Sequence, residues 1–92
     1  MKIILNNNEY KLIKDYKEGF NLEEITTLFT DYFDDYDYVL GDYAYNKLRL
    51  KGFYDDNNKK AKDINKFSYI DEYVSKYCAY ECRYFILKKE KK

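Results

Sequence analysis

The sequence predicts an α+β domain, with a roughly five-stranded, mostly antiparallel sheet and two helices in the order β-β-α-β-β-α-β. Three observations predict it. The stretch from Tyr36 to Asp56 alternates apolar and polar side chains with the period of two expected of paired strands. Two further segments repeat apolar residues at three- and four-residue intervals behind helix-starting residues. Ninety-two residues fit one small domain, with residues 1–88 as the folded unit and 89–92 as a basic, frayed tail.

The elements follow in order. Lys2 to Leu5 and Glu9 to Lys14 read as two strands around Asn6-Asn7-Asn8, because Asn tolerates the positive φ of a tight hairpin turn. Tyr10 and Leu12 then share one face. A helix is expected from Leu22 to Phe33, N-capped by Asn21 with Glu24 three residues on and Phe20 as a staple against Ile25. Leu22, Ile25, Leu28, Phe29, Tyr32 and Phe33 form its apolar stripe. Asp31, Asp34, Asp35 and Asp37 cluster at its end, where the helix dipole disfavours negative charge. They read as helix-terminating turn residues, or as an acidic surface for a basic partner.

Between Tyr36 and Asp56 two strands are expected. Leu48 and Leu50 point inward, and Lys47, Arg49 and Lys51 project outward, with Phe53 following. Gly41 and Gly52 suggest a positive φ, a bulge or a close backbone approach. A cationic row beside Tyr43, Tyr45, Phe53 and Tyr54 is the kind of surface that binds single-stranded RNA by stacking and phosphate contact. The plainer reading is a solvated face whose cations pair with the acidic half of the chain.

Asp55 to Asn58 reads as a polar turn and Lys59 to Lys66 as a mobile basic connector. Ser68 with Asp71 suggests a second capping box, opening a helix from Tyr69 to Cys78. The last strand, Glu81 to Lys88, sets Cys82, Tyr84 and Ile86 on one side and Phe85 and Leu87 on the other. Apolar residues on both faces place it inside the sheet. Cys78 and Cys82 read as reduced, buried thiols. Two cysteines and no histidine fall short of the four ligands of a structural zinc site, so no metal or cofactor is expected.

Composition narrows the function. There are 13 tyrosines and six phenylalanines but no tryptophan, which predicts an aromatic core with many rings at its margin. Net charge is zero, yet residues 1–46 hold four basic and ten acidic side chains, and residues 47–92 hold 13 and seven. Such polarity either cancels within the fold or makes two patches of opposite sign. Fifteen of the 17 basic residues are lysine, which discounts the basic signal as codon bias. Without histidine the usual proton shuttle at neutral pH is missing, and no Gly-rich phosphate loop or nucleophile motif replaces it. The short opening apolar run resembles no signal peptide, and nothing reaches membrane-spanning length. A cytoplasmic protein is expected.

The segment Gly41-Asp42, Tyr45 and Leu48 to Tyr54, with the later run YVSKYCAYECRYFILKK, resembles the YutD-like family of small bacterial proteins over most of the chain. Tyr43-Ala44 and Asn46 stand where the family pattern has Trp-Gly and Gly, so the resemblance implies a turn that departs from the family's. The resemblance implies an α+β domain in a bacterial cytoplasm and assigns no activity. Two functions follow as expectations. The first is non-enzymatic binding of RNA or a ribonucleoprotein through Lys47, Arg49, Lys51, Phe53, Tyr43 and Tyr45. The second is a protein-interaction module or regulatory adaptor using Asp31, Asp34, Asp35 and Asp37, within the acidic 31–42 region, and exposed tyrosines.

Overall fold

The computed structural model describes residues 2–77 and 82–90. The elements are β1 (Lys2–Leu5), β2 (Asn8–Tyr16), α1 (Leu22–Leu28), β3 (Tyr38–Ala44), β4 (Lys47–Phe53), α2 (Ile70–Tyr77) and β5 (Tyr84–Lys89). Short 3-10 turns at Asp31–Asp35 and Phe67–Tyr69 precede β3 and α2. The expected order holds. Every strand pair is antiparallel, and the sheet order is β1-β2-β5-β3-β4.

Asn6 and Asn7 both take the left-handed conformation, at φ 50° and 66°, and turn β1 tightly into β2. β5 lies between β2 and β3, as its two apolar faces require. Phe85 and Leu87 pack into one core with Ile3, Leu5, Tyr10, Val39, Tyr43, Leu48 and, from the α1 segment, Ile25 and Phe33. Ile86 enters a second core with Tyr38, Leu40, Phe53 and Ile70 of α2. The sheet therefore carries one helix on each face. The α2 face of the β1–β2 hairpin stays open, where Ile4 and Ile13 are exposed.

Three expectations about helices and loops are corrected. α1 stops at Leu28 rather than Phe33. Asn21 caps it as expected, its Oδ1 accepting the Glu24 amide at 3.0 Å. At the other end Phe29 is already extended, and the Thr30 hydroxyl accepts the Tyr32 amide to open a 3-10 turn. Thr and Asp are poor interior helix residues and good starters, so the chain restarts at Thr30. Phe29 and Phe33 still reach one core, with ring centroids 5.2 Å apart. In front of α2, Ser68 forms no box with Asp71. Its amide donates to Asp56 Oδ1 at 2.9 Å, so the cap comes from a residue distant in sequence.

The basic connector is pinned rather than mobile. The Tyr54 amide donates to the Asn65 carbonyl at 2.7 Å, and the Phe67 amide to the Tyr54 carbonyl at 2.8 Å. The Lys60 ammonium reaches Asp35 at 2.6 Å, and Asn58 and Asn65 side chains accept the Lys60 and Lys62 amides. Cys82 is disulfide-bonded, which corrects the expectation of a reduced thiol there, while Cys78 lies outside the described residues. At the carboxyl end β5 continues through Lys89, and the Glu90 amide bonds the Glu9 carbonyl at 2.9 Å.

Of the options open for Gly41 and Gly52, close approach is the one used. Neither has a positive φ. A Cβ on Gly41 would lie 2.2 Å from Phe85 Cζ, and one on Gly52 2.3 Å from the Tyr36 ring. Each glycine is the floor beneath an aromatic ring.

The aromatic core sets a pH response. Tyr10 is fully buried, and its hydroxyl has no hydrogen-bond partner among the described residues. Burial, with Asp34 nearby, pushes its pKa up to about 12. The folded value lies above the unfolded one, so this phenol stabilises the fold below pH about 10 and the contribution, about 2 kcal/mol, is lost by pH about 12. At the acid end, Lys60 and Tyr54 hold Asp35 below the usual carboxylate range, and Ser68 does the same for Asp56. Those contributions exist above pH about 4 and are lost as pH falls further. Denaturation midpoints measured from pH 3 to 12 should form a plateau that drops at both ends, and Tyr10→Phe should flatten the alkaline drop.

Candidate partner-binding surfaces

The β3–β4 hairpin holds most of the residues singled out above. Its register pairs Ala44 with Lys47, Tyr43 with Leu48, Asp42 with Arg49 and Leu40 with Lys51. The turn falls on Tyr45-Asn46, both left-handed at φ 52° and 63°. Alternation then sends Lys47, Arg49, Lys51 and Phe53 to the α2 face, and Tyr43 and Leu48 to the α1 face.

These side chains do not form one row. The Arg49 guanidinium is clamped by Asp42, Nε to Oδ1 at 3.1 Å and Nη2 to Oδ2 at 2.7 Å, and Nη2 also reaches the Tyr77 carbonyl at 3.2 Å. Asp42 is 3% exposed, and the arginine side chain is 44% exposed. Lys51 is half-buried, with its ammonium 5.4 Å from the Phe53 ring centroid and 5.6 Å from that of Tyr73. Phe53 is fully buried in the α2-side core. Tyr43 is buried in the opposite core, beneath the Arg83 guanidinium at 3.9 Å. Burial raises its phenol pKa, with Glu24 as a further cause. Lys47 is exposed beside the turn, and Tyr45, 98% exposed, stands clear of the fold.

The acidic set is largely engaged inside the molecule. Asp34 accepts Asn6 Nδ2 at 2.6 Å and Asn8 Nδ2 at 3.0 Å, tying the first turn to the 3-10 segment, and its carbonyl accepts from the Lys89 ammonium. Asp35 accepts the Tyr54 hydroxyl at 2.7 Å as well as Lys60. Asp37 accepts the Asp55 amide at 2.7 Å and Asn58 Nδ2 at 3.0 Å. Asp31 is exposed in the first turn of the 3-10 segment. Nearby, Tyr32 is exposed and shares a hydrogen bond of 3.1 Å with the Tyr36 hydroxyl.

Two concavities flank β4, one on each face of the sheet. On the α1 side a groove of about 390 Å³ runs between Glu24, Thr27 and Leu28 of the helix and Asn46, Lys47 and Leu48 of the hairpin. On the α2 side a pocket of about 140 Å³ is lined by Lys51, Ile64, Tyr69, Tyr73 and Tyr77. Neither emerged from the sequence. One signal was present: a two-residue turn at Tyr45-Asn46 makes Asp42 and Arg49 equidistant from it, and so cross-strand partners.

Among known proteins, residues 4–88 match the family model described as "Putative antitoxin YutD-like". The chain is 44% identical over 90 residues to a Bacillus subtilis (strain 168) protein described as "Putative antitoxin YutD", covering 98% of this chain and 99% of that protein. The solution NMR structure of protein yutD from B. subtilis superposes with a TM-score of 0.84 at 43% identity, over all of this chain and 84% of that one.

Proposed function

This chain belongs to the YutD-like family, and on that premise we propose that it is a non-enzymatic, cytoplasmic protein-binding module of the antitoxin kind. Its contact centre is the β3–β4 turn. The observation that carries this reading is Tyr45. A non-glycine residue held left-handed costs about 1–2 kcal/mol, yet this ring packs on nothing and is 98% exposed at φ 52°. The left-handed φ serves the two-residue turn, but Asn or Gly would serve it at less cost, so a bare tyrosine at this position points to a use outside the fold. Exposed tyrosines are rigid anchors with little side-chain entropy to lose, and they are enriched at binding hot spots. The groove that begins at the next residue, Asn46, supplies an apolar floor at Leu28 and Leu48 and a charged rim at Lys47.

Tyr45→Asn tests this, because it separates stability from binding. The variant suits the turn better and should gain about 0.5–1 kcal/mol, raising Tm by several degrees. Incubated with nuclease-treated lysate of the bacterium that carries the chain, wild type should retain a protein that the variant retains at least about tenfold less well. Equal retention by both would overturn the role of Tyr45.

Single-stranded RNA is the second reading, favoured by the adjacency of exposed Tyr45 and exposed Lys47. It predicts salt-dependent binding of a labelled oligonucleotide that Lys47→Glu with Lys51→Glu abolishes. It also predicts loss of all retained protein on nuclease treatment.

A further inference from the structure

The outer edge of β4 carries no neighbouring strand. β4 is a terminal strand of the sheet. Among the described residues, backbone pairing on its outer side occurs only past its end. There Tyr54 donates to Asn65 and accepts from Phe67, in a parallel bridge with Lys66. The Phe53 carbonyl, by contrast, points back toward β3 and accepts the Asp37 amide. Backbone groups alternate in direction along a strand. Leu48, Leu50 and Gly52 therefore share the outward direction of Tyr54 with no strand beside them, but Gly52 is buried, so Leu48 and Leu50 are the positions an added strand would pair.

We propose that this edge takes up an extended segment of the partner protein by strand addition, and that the segment alternates acidic and apolar side chains. The inference rests on the protein-binding reading above and deepens it. Three features support it. The chain already adds a short parallel piece of itself to this edge at Tyr54, so the edge geometry accepts another strand. The two concavities flank the edge on opposite faces, where alternate side chains of an added strand would point. One is floored by Leu28 and Leu48, and the other is walled by Tyr69, Tyr73 and Tyr77. By register Lys47 and Lys51 both lie on the α2 face, where they select carboxylates, while Leu28 and Leu48 floor the α1 face for the apolar side chains of the same segment.

The same cations argue against a second copy of this chain as occupant. Edge-to-edge pairing of two β4 strands would bring the Lys47 and Lys51 side chains of both copies onto one face, and like charges on paired strands repel. Arg49 is neutralised by Asp42, but among the described residues Lys47 and Lys51 form no ion pair and remain the guard against self-association.

The test uses the full chain labelled with ¹⁵N and three short acetylated peptides. One alternates glutamate with leucine and tyrosine. The second has the same sequence with every other backbone amide N-methylated, and the third replaces glutamate by lysine. The first should shift the Leu48 and Leu50 amides and slow their hydrogen exchange. The other two should bind at least about tenfold more weakly, because one lacks the ladder bonds and the other the charge match. Absence of shifts along β4 at millimolar peptide, or equal binding by the N-methylated peptide, would overturn strand addition. Shifts at these amides that depend on protein concentration without peptide would replace the proposed occupant by a second copy. Failure of the peptides alongside Tyr45-dependent capture would sink strand addition alone. Loss of the capture with intact peptide binding would sink the Tyr45 reading instead.

Discussion

Replacing Arg49 by alanine should lower the unfolding free energy by about 3–4 kcal/mol, because it strands a buried carboxylate without its counter-charge. Asp42 sits opposite Arg49 in the hairpin register, is 3% exposed, and takes two charge-assisted hydrogen bonds from the guanidinium. The reverse change should be milder. Asp42→Asn leaves a half-exposed guanidinium that can turn toward water and still reach the Tyr77 carbonyl, so about 1–2 kcal/mol is expected. Urea midpoints at neutral pH, with the double mutant to close the cycle, measure the asymmetry. Equal losses, or a larger loss for Asp42→Asn, would mean that the buried carboxylate is not the costly partner. A charge reversal at Arg49 is accordingly a poor probe of nucleic-acid binding, since it would set two carboxylates face to face and disturb the hairpin itself. Lys47 and Lys51 are the positions for that test.

Gly41→Ala should cost about 2–3 kcal/mol despite adding one methyl group. The new Cβ would meet three ring carbons of Phe85, the nearest at 2.2 Å. That ring is fully buried and edge-on to Phe20 at 5.2 Å, so it has little room to retreat. Phe85→Leu should be destabilising alone, through loss of aromatic packing, but should relieve part of the Gly41→Ala penalty when combined with it. A coupling of about 1 kcal/mol or more in the double-mutant cycle is expected. Strict additivity would show that the ring does not depend on the glycine floor. Exposed-strand behaviour, with Gly41→Ala neutral or stabilising, would contradict the packing outright.

The alternation of Phe85, Ile86 and Leu87 was enough to place the last strand inside the sheet, because a strand with two apolar faces must be covered on both. Asn6-Asn7 was enough for the first turn, and Asn21 with Glu24 for the start of α1, since both signals act within a few residues. The end of α1 was not legible. Leu28, Phe29, Tyr32 and Phe33 continue a helical stripe, and only their packing reveals that Phe29 and Phe33 reach the core from a 3-10 turn. The connector after β4 looked mobile because its anchors, Tyr54 and Asp35, lie outside it in sequence.

For the candidate surfaces the division is sharper. Local pattern placed Lys47, Arg49 and Lys51 on one side of a strand, because residues two apart share a face. Whether that side was open to solvent was decided by α2 and by Asp42, which no spacing within β4 encodes. By itself the sequence determined the element order, the first turn, the cap and the two-faced central strand, all set by interactions that reach only a few residues along the chain. Tertiary structure alone decided which cation is paired, which rings are buried, which edge carries no neighbouring strand and that Tyr45 stands free. Those outcomes depend on what packs across the sheet, between residues far apart in the chain.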